Sequence, residues 1–184
     1  MTEFFTSDHH FFHHNIIKYC ERPFSSIKDM HEVMIERWNV VVKPLDIVYY
    51  LGDFGLCHKH KLREIMEMLN GEKILIKGNH DGHSKRSYIE KVGFKDVMPS
   101  LVVKDLHLCH YPRKGDTQQE DRYNLRRLNL TEDQWLICGH VHQAWRIKGR
   151  DFNVGVDVNN FFPIRLDNLL LEIEQKEVEY ERKN

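Results

Sequence analysis

Four short blocks of this sequence consist of residues able to bind divalent metal: Asp8-His9-His10, Gly52-Asp53, Gly78-Asn79-His80-Asp81 and Gly139-His140-Val141-His142. A lone His110 stands between the last two. Carboxylate and amide oxygens mixed with imidazole nitrogens suit divalent transition ions. Asp53 has two oxygens and can bridge two ions, and Asn79 adds a neutral oxygen. Asp8 and His10 are two residues apart, as are His140 and His142. In an extended chain such residues point the same way, so Asp8 and His10 are expected to reach a common ion, as are His140 and His142 unless the loop turns between them. Together the blocks supply enough donors for two ions if one Asp is shared. Two ions about 3.5–4 Å apart can activate a water and clamp a phosphoryl group.

The elements that must position these blocks can be read from apolar patterning. Residues 2–7 read as a strand ending at Asp8. The run Leu45 to Leu51 reads as a buried strand that delivers Gly52-Asp53. Ile74-Leu75-Ile76 delivers Gly78 to Asp81, and Trp135 to Cys138 delivers His140 and His142. Helices are expected between them. One starts at an N-cap Ser26 and places Ile27, Met30, Met34 and Trp38 at helical spacing. Another carries Leu62, Ile65, Met66 and Leu69 and stops near Gly71. A third spans Ser84 to Val92 and closes at Gly93. Alternating strands and helices predict βαβ units, with the site at the carboxyl ends of the strands.

The second half reads as strand-rich. Leu101 to Val103 and Leu106 to Cys109 form an expected hairpin around Lys104-Asp105. Residues 112–127 read as a long polar loop with one helical turn. Phe152 to Val158 alternates apolar and polar. Leu169, Leu171 and Ile173, then Val178 and Tyr180, alternate with polar residues and read as a final hairpin with a solvated glutamate face. With no linker or repeat, residues 1–184 are expected to form one α/β domain.

Composition narrows the function. The net charge of −1 gives no overall basic field for nucleic acid or anionic membranes. No apolar run approaches the roughly 20 residues that span a bilayer. The N-terminus lacks a basic region followed by an apolar stretch, so no signal peptide is expected. Four scattered cysteines without CxxC spacing are expected to be free thiols in a cytoplasmic protein.

The order and spacing of Asp8-x-His10, Gly52-Asp53, Gly78-Asn79-His80-Asp81, His110 and Gly139-His140-x-His142 resemble the calcineurin-like metallophosphoesterase family. The stretch from Ser7 to Ile17 further resembles its small single-domain bacterial and phage members. The resemblance implies a sandwich of two mixed β-sheets flanked by α-helices. It implies that Asp8, His10 and His142 hold one ion, that Asn79, His110 and His140 hold a second, and that Asp53 bridges. Mn²⁺ is the favoured metal, with Fe, Zn, Ni or Mg as alternatives. By the same resemblance His80 faces the scissile phosphate and Asp81 orients it. Phe54-Gly55-Leu56 after Asp53 departs from the Asp-Arg-Gly continuation of protein phosphatases and argues against that activity. Phe11-Phe12-His13 stands where small relatives have Phe-Gly-His, so a shift in the loop over the first ion is expected.

Other residues are open to two readings. His13 either touches a metal ligand or substrate, or is an ordinary polar residue, while His9 reads as packing. Arg113 either binds a phosphate oxygen or belongs to a solvated loop. Arg122, Tyr123, Arg126 and Arg127 either contact a nucleotide or nucleic-acid backbone, or form an exposed helix face. Arg22-Pro23-Phe24 either frames the pocket or does not touch it. Cys57-His58-Lys59-His60 lacks a fourth zinc ligand and reads as a helix start. The expectation is a two-metal phosphodiesterase acting on a small nucleotide-like ester through a metal-bridging hydroxide. A nuclease or a phosphomonoesterase on the same site, and a non-catalytic scaffold, are the alternatives.

Overall fold

The computed structural model describes residues 1–114 and 123–182. The first half alternates strands and helices: β1 (Glu3–Thr6), α1 (Ile16–Tyr19), α2 (Ile27–Val41), β2 (Ile47–Tyr50), α3 (Lys59–Met68), β3 (Glu72–Ile76), α4 (Lys85–Ser87) and β4 (Asp96–Met98). Five further strands follow: β5 (Ser100–Val103), β6 (Leu106–Cys109), β7 (Trp135–Cys138), β8 (Ile147–Lys148) and β9 (Asp151–Asn153). β10 (Ile164–Arg165) and α5 (Leu166–Glu181) end the described chain.

Two mixed five-stranded sheets result, ordered β10-β1-β2-β3-β4 and β5-β6-β7-β9-β8. β1 to β4 run parallel, with β10 antiparallel on the edge. β6, β7 and β9 run parallel, and β5 and β8 flank them antiparallel. Strand alternation splits the apolar residues of the first sheet between two cores. Phe4, Val48, Tyr50 and Leu75 pack with Met30, Met34 and Trp38 of α2 and with Leu62 and Ile65 of α3. Phe5, Tyr49, Leu51 and Ile76 face the second sheet, where they meet Leu106, Leu108, Ile137 and Phe152. The sheets are therefore sandwiched, with α2 and α3 on one outer face.

Local signals explain most boundaries. Ser26 caps α2 by accepting from the Asp29 N–H at 3.1 Å. Asp29 reaches back to Ser25 at 2.9 Å. Ser84 caps α4 in the same way. The α4 helix runs on through a π-helical turn, Tyr88–Val92, and stops at Gly93, whose φ of 110° needs a residue without Cβ. Residues 124–126 make the expected helical turn, but the loop residues 115–122, Arg122 among them, lie outside the described chain.

The expected C-terminal hairpin is wrong. Residues 166–181 are a helix. Leu166, Leu169 and Ile173 follow helical spacing and are buried between the sheets, while Leu171 is 54% exposed. The glutamates are not simply a solvated face. Glu172 pairs with Arg146 at 2.6 Å, and Glu177 pairs with Arg150 at 2.7 Å and accepts from the Trp135 indole at 2.6 Å. The stretch expected to alternate from Phe152 is strand only to Asn153 and then turns through a 3₁₀ segment, Val156–Val158. Among the described residues no helix is long and apolar enough to cross a membrane.

Candidate metal centre

The blocks named from the sequence follow the carboxyl ends of five parallel strands: β1, β2, β3, β6 and β7. The first two connect by backbone hydrogen bonds. Asp8 N–H donates to the Gly52 carbonyl (3.0 Å), His10 to Asp53 (3.1 Å) and Phe11 to Phe54 (2.9 Å). The expectation of extended chain at the paired ligands is not met. Asp8, His10, Asp53, His140 and His142 all have φ between 47° and 72°. Non-glycine residues rarely adopt this left-handed conformation, at a cost of about 1–3 kcal/mol each, and it concentrates at functional sites. Here the ligand side chains converge because the chain turns at each one. Phe12, expected to disturb the loop, takes φ 64° itself and donates its N–H to His31 at 2.9 Å.

The glycines of the motifs make room for the same residues. A Cβ on Gly52 would lie 2.5 Å from His110 Nδ1. A Cβ on Gly78 would collide with the Asp53 carboxylate, and one on Gly139 would lie 2.5 Å from Asp8 Oδ2.

Asp53 lies at the centre, buried. Its Oδ1 accepts from the His80 N–H at 2.8 Å. Its Oδ2 lies 3.5 Å from His10 Nε2 and 3.6 Å from His110 Nε2. One oxygen is thus shared between two groups of donors. On one side, ligand atoms of Asp8, His10 and His142 lie within 4.8 Å of one another. On the other, His110 Nε2 lies 3.1 Å from Asn79 Oδ1 and 3.2 Å from His140 Nδ1. His110 Nδ1 donates to the Leu51 carbonyl at 2.7 Å, which turns its Nε2 toward those two atoms.

Two observations test whether cations fit. First, Asp8 Oδ1 and His10 Nε2 are fully buried without a hydrogen-bond partner. Buried polar atoms are seldom left unpaired. Second, the buried charges of the cluster oppose one another. Burial and the Asp8 and Asp81 carboxylates push Asp53 up to about 6, against the pull of His110. Burial, then the charge of His110, pulls His140 down to about 4. Unpartnered buried ligand atoms and crowded carboxylates are what a divalent cation relieves, so the donor set is compatible with a metal site.

The supporting residues were partly missed in the sequence. Asp157 accepts from His142 Nδ1 at 2.9 Å and is gripped by Arg22 at 2.7 and 2.9 Å. Burial alone would lower the His142 imidazole, but the Asp157 hydrogen bond drives it up to about 10. Arg22 is buried and also donates to the carbonyls of Asp8 (2.7 Å) and His9 (2.9 Å). It therefore ties the first loop to the His142 support. No motif announces Asp157. His9 is packing, as expected: its ring lies among Phe11, Trp38 and Tyr50, with Nδ1 2.7 Å from the Tyr50 hydroxyl.

Two assignments need correction. The Asp81 carboxylate accepts from the N–H groups of Asp53 (2.8 Å), Phe54 (3.2 Å) and Gly78 (2.8 Å) and from the Tyr88 hydroxyl (3.3 Å). It fastens the two loops together and does not orient His80. The Arg113 guanidinium pairs with Asp151 at 2.8 Å and donates to the carbonyls of Thr131 and Gln134. It belongs to the second sheet and does not reach the cluster. His80 itself sits beside the first donor group, 5.1 Å from the His10 ring and 5.8 Å from His13. His13 Nδ1 lies 3.3 Å from His10 Nδ1. His58 occupies the N-cap position of α3 without a side-chain capping hydrogen bond, and the described residues around it form no metal cluster.

Paired mixed sheets with a buried His/Asp cluster at their parallel strand ends define an α/β protein with a metal-site architecture. The chain belongs to the calcineurin-like phosphoesterase superfamily, whose domain matches residues 4–158. It is 38% identical over 182 residues to the uncharacterized protein MJ1445 of Methanocaldococcus jannaschii, covering 94% of this chain and 91% of that one. The crystal structure of the protein of unknown function AQ665 from Aquifex aeolicus is similar, with a TM-score of 0.68 and 29% identity over 91% of this chain and 97% of that one.

Proposed function

We propose that this protein is a phosphodiesterase working with two divalent ions, Mn²⁺ foremost, on a small nucleotide-like ester. The observation that carries the reading is the meeting of two donor groups at one carboxylate oxygen, Asp53 Oδ2. Asp8, His10, Asp53 and His142 would hold one ion, and Asp53, Asn79, His110 and His140 the other. Bound ions supply the Lewis acidity that activates water and balances charge on the phosphoryl oxygens.

The chain's own residues supply orientation and protons. Asp157 holds His142 so that its Nε2 faces the first ion position. The Asp53 carboxylate fixes the His80 backbone, leaving the half-buried imidazole on the cleft wall. There His80 donates a proton to the leaving oxygen. With His10 Nε2 turned to the centre, its Nδ1–H donates to His13 Nδ1. His13 is thereby held in the tautomer that carries its proton on Nε2, available to a phosphoryl oxygen.

Metal-stripped protein given Mn²⁺ should cleave bis-p-nitrophenyl phosphate faster than p-nitrophenyl phosphate. Faster monoester cleavage would replace the diesterase reading with a phosphomonoesterase.

A further inference from the structure

Beside the first ion position lies a cleft of about 590 Å³. Its walls are His13, Ile16 and Tyr19 on one side and Val141, Gln143 and Ala144 on the other. Tyr19 is 65% exposed, and its ring stands edge-on to His13 at 6.1 Å. Among the described residues no lysine or arginine lines this cleft. The Arg22 guanidinium is buried and committed to Asp157 and to two backbone carbonyls. An additional phosphate brought here would find no lysine or arginine among the described residues to replace its lost water, which is costly. A flat, uncharged group would cover the exposed Tyr19 ring.

Resting on the phosphoesterase reading, we propose that this cleft takes the uncharged planar organic group of the substrate, a nucleoside or aryl group, with Tyr19 as its stacking face. The inference makes the substrate a single phosphoester and excludes polyphosphates and nucleic-acid strands from this wall. Of the basic stretch, Arg122 lies outside the described residues, and the other arginines have partners of their own. Arg113 is held by Asp151, Arg126 donates to the Tyr111 hydroxyl at 3.1 Å, and Arg127 donates to the Pro112 carbonyl.

Calorimetric binding of phenylphosphonate and methylphosphonate to the Mn²⁺-loaded protein tests this. Stacking on an aromatic side chain predicts about tenfold tighter binding of phenylphosphonate. Tyr19→Ala should shrink the gap to about twofold or less, because the stacking face is gone. Tyr19→Phe should keep it. The exposure of Tyr19 lets both variants fold. Equal binding of the two phosphonates, or a gap that survives Tyr19→Ala, overturns the proposal. Ester hydrolysis measured in parallel separates the two failures. Hydrolysis with equal phosphonate binding removes the cleft assignment alone. No hydrolysis and no phosphonate binding removes the phosphoesterase reading and the cleft with it.

Discussion

His80 and Asp157 act on the same centre in different ways, and their variants should separate. His80 lines the cleft with a ring nitrogen within 4.8 Å of the ligand atoms of His10 and Asp53, and its proposed role is that of a proton donor, not a ligand. A lost proton donor costs about 10²–10⁴-fold in rate. His80→Ala should therefore lower kcat by that order while elemental analysis finds the ion content unchanged. Normal turnover would remove the role assigned to it. Asp157 touches no substrate position; it holds His142 Nδ1 at 2.9 Å. Loss of such an orienting carboxylate typically weakens metal affinity about 10–100-fold. Asp157→Asn should weaken one ion and spare the other in a metal titration, and equal affinity for both in the variant would contradict this. The residues that meet at Asp53 were legible in the sequence because their types are rare together and their order is fixed. Asp157 was not, since one aspartate after a short strand looks like any other. Its meaning comes from Arg22 and His142, residues far away in the chain. Arg113 and Asp81 misled for the same reason: position beside a motif does not say which partner a charge will find.

At the scale of elements, α5 offers the sharpest contrast between the two readings. As a hairpin, Leu169 and Leu171 would share a buried face; in the helix Leu169 is fully buried and Leu171 is 54% exposed. Leu169→Ala should cost about 2–5 kcal/mol of unfolding free energy. Leu171→Ala should stay within about 0.5 kcal/mol. Equal costs from denaturant titrations would restore the hairpin. The misreading arose because Leu166, Leu169 and Ile173 fit a 3.6-residue period while Leu169, Leu171 and Ile173 also fit a period of two. Burial by the two sheets decided between them, and that is tertiary information. β2, β3 and β7 were legible because each carries a continuous apolar run ended by a ligand block, whereas Glu3 and Thr6 flank the apolar pair of β1 and His107 interrupts β6. α2 and α4 were legible because Ser26 and Ser84 cap them. The two-residue strands β8 and β10 carry no signal of their own and exist by pairing to β9 and β1.

Across the whole molecule, histidine burial ties stability to pH. Burial, reinforced by Arg22, lowers His9 from 6.5 to about 3. The unfolded chain then binds a proton that the folded chain refuses. Stability from this group is present above 6.5 and is lost as pH falls from 6.5 toward 3. Ion-free protein should lose unfolding free energy across that window, and His9→Gln should flatten the slope while keeping a partner for Tyr50. An unchanged slope would place the acid sensitivity elsewhere. The same molecule places five left-handed residues, Asp8, His10, Asp53, His140 and His142, and its crowded carboxylates at one junction between sheets, a cost that bound cations would offset. The central claim is that two ions share that junction and enable ester cleavage. The most direct measurement is a Mn²⁺ titration of stripped protein that follows bound metal and bis-p-nitrophenyl phosphate hydrolysis together. The account predicts two ions per chain, with activity rising as the second binds. Full activity with one ion or none, or two bound ions with no hydrolysis of any phosphoester, would contradict it.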